Sequence, residues 1–165
     1  MLDEFGTQLN NLLVTTFRNI LRVEEQSIKQ LGTGDVTMAE MHLMESIAKN
    51  PNGATVTEIA ADLGITSPSV TIGLNRLERK GYVVRERSSH DARVVHAHLT
   101  DRGTRMNEKH TTYHEQMVRR VAESLSPEER AMLSAGIVKL NVFFAAALDH
   151  AELVGVQADG GAHEL

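Results

Sequence analysis

His110 and His114 stand four residues apart in MNEKHTTYHEQM, a stretch with helical periodicity. That spacing puts both imidazoles on one helical face, one turn apart, close enough to hold a single metal ion. The pair interrupts an otherwise apolar seam of Met106, His110, Tyr113 or His114, Met117 and Val121. Chance supplies such pairs too: in a chain with 8 histidines, an imidazole packed against polar neighbours is the commoner outcome. Glu24 raises a related question, because it falls on the apolar stripe of the first helix between Ile20 and Ile28. A carboxylate there needs a buried partner or an edge position. His42 lies early in the second helix. His96 and His98 share one face of a strand; with His90, His150 and His163 they read as structural or surface groups.

A second chemistry resides in Thr57 to Lys80, TEIAADLGITSPSVTIGLNRLERK. Ile59, Ala60 and Leu63 make one helical face, and Gly64 lets the chain turn through positive φ. Ser67 is the expected N-cap of the next helix and Pro68 its first residue. Val70, Leu74 and Leu77 then point inward at helical spacing. The outward face carries Ser67, Ser69, Thr71, Asn75, Arg76 and Arg79, short hydrogen-bonding groups followed by cations, as a helix in a DNA major groove requires. Two helices around a short glycine turn make a helix-turn-helix.

Gly81 closes the second helix. Tyr82 to Arg87 reads as a strand, Ser88 to Ala92 as a turn and Val94 to Leu99 as a returning strand, together a β-hairpin wing. Arg87 and Arg93 flank its tip, where they could reach phosphate or the minor groove. From Ser67 to Arg93 there are six cations and three anions, 6 − 3 = +3, in a chain of net charge −5, which leaves −8 for the remainder. A basic lobe on an acidic body suits phosphate binding on one face.

At these residues a family resemblance emerges. LERKGYVVRERSSHDARVVHAHLTDRG, with Asp91-x-Arg93 followed by Leu99-Thr100, closely resembles the winged helix-turn-helix of the MarR family of bacterial transcriptional regulators, and the likeness extends over about residues 5 to 150. It implies that Asp91 braces the wing, that Arg93 contacts DNA, and that the chain is a homodimer on a pseudo-palindromic double-stranded operator. Within that family the sequence resembles the zinc-responsive AdcR/ZitR-type branch. Carried over residue by residue, that branch's metal ligands fall on Glu24, His42, His110 and His114, implying one zinc ion per subunit and zinc-dependent repression of zinc-uptake or metal-homeostasis genes. A second, oxygen-richer site of the branch has no counterpart, since its positions hold Gln30, Met41 and Lys109.

The expected fold is mainly α with a small β wing, one domain over residues 1–165. Residues 5–35 and 101–150 form the helical dimerisation region, 36–100 the DNA-binding lobe, and 154–165 a disordered tail. The first helix spans residues 5 to 31 with Phe5, Leu9, Leu12, Leu13, Phe17, Ile20 and Ile28 along its stripe. Thr37-x-x-Glu40 is a capping box for a helix from Met38 to Lys49. Ala54 to Val56 is expected as a short strand, with Thr57 capping the helix that follows. Asp101 is expected to cap a helix to about Leu125, and Ser126-Pro127 to start the last one. Met132, Ile137, Leu140, Phe143, Phe144 and Leu148 give that last helix more apolar surface than one small domain can cover, pointing to a second copy.

Cysteine is absent, which excludes disulfides and thiolate chemistry. No apolar run reads as long enough to cross a bilayer and MLDEFGTQ has no signal-peptide pattern, so a cytoplasmic protein without a membrane partner is expected. Two other readings of the histidines stay open. They could wall a pocket for a small organic ligand, or, remotely, hold a hydrolytic zinc, although no general base or substrate loop accompanies them.

Overall fold

The computed structural model describes residues 2–30, 35–88, 91 and 93–149. The elements run α1 (Glu4–Gln30), α2 (Met38–Ala48), α3 (Val56–Leu63), α4 (Ser67–Arg79), β1 (Val83–Arg87), β2 (Val95–Leu99), α5 (Asp101–Glu123) and α6 (Pro127–Asp149). This is the expected class, helical with a two-stranded antiparallel wing. Leu31, the Gly32 to Gly34 break, Ser89, His90 and Ala92 of the wing tip, His150 and the 154–165 tail with His163 lie outside the described residues. The chain forms two compact units, Met1–Gln116 and Met117–Leu165.

The lobe over residues 36–100 is assembled from local signals. Thr37 Oγ1 accepts the Glu40 N–H and Glu40 Oε2 accepts the Thr37 N–H, completing the capping box at the start of α2. α3 ends at Gly64, whose φ of 63° is open to a residue without Cβ. Three expected caps move by one or two residues. Thr55 rather than Thr57 caps α3, with Glu58 closing its box, because Thr55-x-x-Glu58 is the pair that satisfies two end N–H groups. Thr66 rather than Ser67 caps α4, so Pro68 is its second residue. Thr100 Oγ1 accepts the Gly103 N–H at 3.1 Å, leaving Asp101 in the first turn of α5, where its charge faces the helix dipole. The expected strand at Ala54 to Val56 is reduced to a single bridge, Ala54 to Ala97, since Val56 is already helical.

Met41, Met44, Ile47, Ile59, Val70, Leu74 and Leu77 are withdrawn from solvent between α2, α3 and α4, and Tyr82, Val83 and Ala97 extend this core under the wing. Each such aliphatic side chain contributes about 1.5–3 kcal/mol on burial. β1 and β2 pair in the register Val83↔Leu99, Arg85↔Ala97 and Arg87↔Val95. The start of α5 is seated against this hairpin: a Cβ added to Gly103 would stand 2.2 Å from Tyr82 O.

A polar cluster ties the end of α4 to α2 and α5. Lys80 Nζ donates to both Glu40 carboxylate oxygens, at 2.8 and 2.7 Å, and to Asp35 O. The Tyr82 hydroxyl donates to Asp35 Oδ1 at 3.0 Å, and Arg102 Nη2 donates to Asp35 Oδ2 and to Tyr82 Oη. The Arg102 guanidinium also lies 4.2 Å over the Tyr82 ring.

The long helices differ from the lobe. In α1 only Ser27 and Ile28 are buried, and α6 has no buried residue among those described. Phe5, Phe17, Ile20, Met132, Ile137, Val142, Phe143, Phe144 and Leu148 are exposed. The expectation that no run could cross a bilayer is corrected for this region: Pro127–Leu148 is long and apolar enough by length and composition. From Met132 to Leu148 Lys139 is the one charged residue, so charge does not limit the run.

Candidate nucleic-acid interface and metal centre

α4 turns Val70, Leu74 and Leu77 inward, which fixes its other face outward. Ser67, Ser69, Asn75, Arg76 and Arg79 are exposed and Thr71 is half-buried. Their bonds differ in kind. Ser69 Oγ shares a hydrogen bond with Thr66 Oγ1, and Thr71 Oγ1 donates to Ser67 O, so both hydroxyls are occupied locally. Arg79 Nε donates to Asn75 O at 3.3 Å. Arg76 and Arg87 are exposed cations without a side-chain partner among the described residues.

In the wing, Asp91 Oδ1 accepts the Arg93 backbone N–H and Nε, while its Oδ2 accepts Nη2 at 3.0 Å. The Arg93 side-chain bonds, with the backbone bond after them, hold the Asp91 carboxyl below its usual range. Asp91 thus holds Arg93, whose side chain is 90% exposed.

The histidines converge differently from the expected ligand set. His110 is fully buried; its Nδ1 lies 2.7 Å from Glu45 Oε1, and its ring meets His114 edge-on at 4.5 Å between centroids. An ionised carboxylate accepts only, so the proton of this bond sits on His110 Nδ1; in the neutral ring the lone pair is then on Nε2. That Nε2 is buried and has no hydrogen-bond partner among the described residues. An orphaned, lone-pair-bearing imidazole nitrogen beside a second imidazole fits a metal ion's demand for donors. One potential ligand atom from each of Glu45, His110 and His114 lies within 4.8 Å of the others, and among the described residues this is the group so gathered. Glu24 is half-buried and His42 exposed, and neither belongs to it.

Glu45 was not among the expected site residues. Its signal was present, since His42-x-x-Glu45 places the two on adjacent positions of one helical face. The hydrogen bond from His110 lowers the Glu45 carboxyl pKa against the opposing effect of burial, and His42 and His114 add to the lowering. Of the positions of the branch's second site, Met41 is fully buried in the core, while Gln30 and Lys109 line an open groove of about 570 Å³ with Arg105 and Tyr113. The His98 ring packs against Gly53, where an added Cβ would stand 2.4 Å from it.

Comparison with known proteins supports the winged-helix reading. Residues 34–94 match the model of the MarR family. The chain is 30% identical over 139 residues to the uncharacterized HTH-type transcriptional regulator YkoM of Bacillus subtilis (strain 168), covering 84% of this chain and 88% of that one. It is 27% identical to the HTH-type transcriptional repressor MdtR of the same organism, covering 78% and 81%. Among solved structures it is similar to Streptococcus pneumoniae FabT in complex with DNA, with 36% identity, a TM-score of 0.81, and coverage of 85% of this chain and 97% of that one. A likeness to the S. aureus MepR–DNA complex has 25% identity, a TM-score of 0.68 and coverage of 81% and 96%. These relatives are regulators, not enzymes, and with the helix pair, the wing and the Asp91–Arg93 brace in place, the chain belongs to the MarR family of HTH-type transcriptional regulators.

Proposed function

We propose that the protein is a cytoplasmic, homodimeric, sequence-specific DNA-binding regulator whose operator affinity is set by zinc, one ion per subunit. The outward face of α4 beside the braced Arg93 supports the DNA-binding part, as do the DNA complexes formed by FabT and MepR. Residues 5–35 and 101–150 form the dimerisation region in this reading. The exposed apolar lengths of α1 and α6 support it, because a second copy would cover what one chain leaves bare.

The zinc part rests on the orphaned His110 Nε2. His110 Nε2 and His114 would be ligands, Glu24 and His42 would complete the four, and Glu45 would keep His110 in the required tautomer by accepting its Nδ1–H. When bound, zinc would supply a tetrahedral set of bonds drawing the two helical histidines and their neighbours into one fixed arrangement. Such an ion selects one conformation of the regulator, and DNA that prefers that conformation must in turn tighten zinc binding by the same factor.

Mass-spectrometric metal analysis of untagged protein, paired with anisotropy titrations of a selected duplex, tests both parts. Arg76→Ala and Arg93→Ala should each weaken DNA binding by about 1–3 kcal/mol with the fold intact. Chelator should release the duplex and zinc restore it, while His110→Ala and His114→Ala should bind weakly in either condition. Unchanged affinity on chelation would remove zinc and favour an organic ligand. The groove lined by Arg105, Lys109 and Tyr113 is the observation in favour of that second reading.

A further inference from the structure

Asn75 projects from the exposed face of α4, and Arg85 reaches it from β1. Arg85 Nη2 donates to Asn75 Oδ1 at 2.7 Å, and Arg85 Nε donates to Glu78 Oε2 at 3.1 Å. A guanidinium has donors only, so the carboxamide atom that meets it must be the oxygen; chemistry fixes which way the amide faces. The bond is charge-assisted and shorter than the usual N–H···O length, and the Glu78 carboxylate steadies the donor from its other side. Asn75 Nδ2, with two N–H groups, has no partner among the described residues.

This changes what the side chain can read. A free Asn recognises adenine by giving an N–H to N7 while its oxygen accepts from N6. Here the oxygen is already engaged by a cation, and turning it to a base would give up that bond. Two donors remain. Of the two purine major-groove edges, the one that offers acceptors without a donor is that of guanine, at N7 and O6.

We propose that Arg85 is a positioning residue that makes Asn75 a donor-only reader, so that the recognition helix prefers guanine to adenine at the base facing Asn75. The proposal rests on the DNA-binding reading and deepens it. Arg85 itself touches no base; it acts through Asn75, and because β1 carries it, the wing sets the readout of the helix.

Selection from a pool of duplexes with a randomised core, using the full-length protein, tests this. Wild type should enrich guanine at one position of each half-site. Asn75→Asp keeps, and charges, the link to Arg85 but removes both donors; it should lose the guanine preference there and bind the wild-type consensus roughly tenfold more weakly. Arg85→Ala frees the oxygen and should shift the same position towards adenine, while Arg85→Lys, which still donates, should keep guanine. If Arg85→Ala does not fold, the Asp and Lys variants decide the matter. A purely structural link between helix and wing would leave the base profile of Asn75→Asp unchanged, and that result, or a wild-type preference for adenine at the affected position, overturns the proposal. A wild type that enriches no duplex sinks the DNA-binding reading and this proposal with it; enrichment with unaltered variants sinks this proposal alone.

Discussion

The side chains beneath α4 and those along α6 are similar in type and opposite in exposure. Val70, Leu74 and Leu77 are at most 1% exposed, whereas Val142 and Phe143 are 65% and 64% exposed. The lobe is a finished object, with each of α2, α3 and α4 capped by a threonine hydroxyl and a core that α2, α3, α4 and the wing close between them. α6 has a capped start too, since Ser126 Oγ accepts the Glu129 N–H and Glu129 Oε2 accepts the Ser126 N–H. None of its described residues is buried. Local signals therefore shape both regions, but only the lobe is stabilised within one chain, and the hydrophobic contribution of the terminal helices waits for an intermolecular surface.

Cutting into the lobe should have the largest effect. Leu74→Ala should lower the unfolding free energy by about 2–5 kcal/mol in a denaturant titration, since transfer and cavity terms add in a sealed core. A loss below about 1 kcal/mol would show that the core collapses around the gap, and the contrast with α6 would fade. Phe143→Asp should leave the circular dichroism of a monomer unchanged yet weaken self-association in sedimentation by about 3 kcal/mol, because a two-fold interface loses the ring twice. Dimers of wild-type strength would place the interface elsewhere.

Lys80→Ala should cost about 1–3 kcal/mol, because Glu40, with its side chain 4% exposed, loses its cationic partner. Burial alone would raise the Glu40 pKa, but the bonds from Lys80 and Thr37 outweigh it and the folded value is lowered. The pair's contribution is then complete above the ordinary glutamate pKa and disappears as the pH falls through the lowered folded one. The stability gap between wild type and Lys80→Ala should narrow on acidification, and a gap independent of pH down to full protonation would show that Lys80 acts by packing alone. Thr55→Ala should be the mildest, about 1 kcal/mol for one lost cap in a thermal melt, with a value near zero assigning the end of α3 to water.

Much of the lobe was legible because its instructions are short-range. Thr37-x-x-Glu40, Gly64, Gly81 and the alternation around the wing each speak of residues within one turn or one hairpin. Thr66 and Ser67 were confused because either hydroxyl can cap, and backbone dihedrals decide between them. The site was less legible. The spacing of Glu45 from His42 marks only a shared helical face, and its partner His110 stands 65 positions away, brought against it when α5 packs. The bond from Arg85 to Asn75 links a helix face to a strand and leaves no periodic trace. Long-range pairings of this kind depend on how elements pack, which spacing within one element does not encode.

Gly103 carries a consequence for descent. The space its missing Cβ would need holds the Tyr82 carbonyl, a backbone atom, so no rotamer change nearby can make room for a substitution. Every single-step change at that codon to another amino acid meets the same obstacle, and compensation would require the hairpin and the first turn of α5 to part together. Lineages of this protein should therefore drift freely at wing positions such as Val84 and Glu86, whose side chains are exposed, while position 103 stays closed to them.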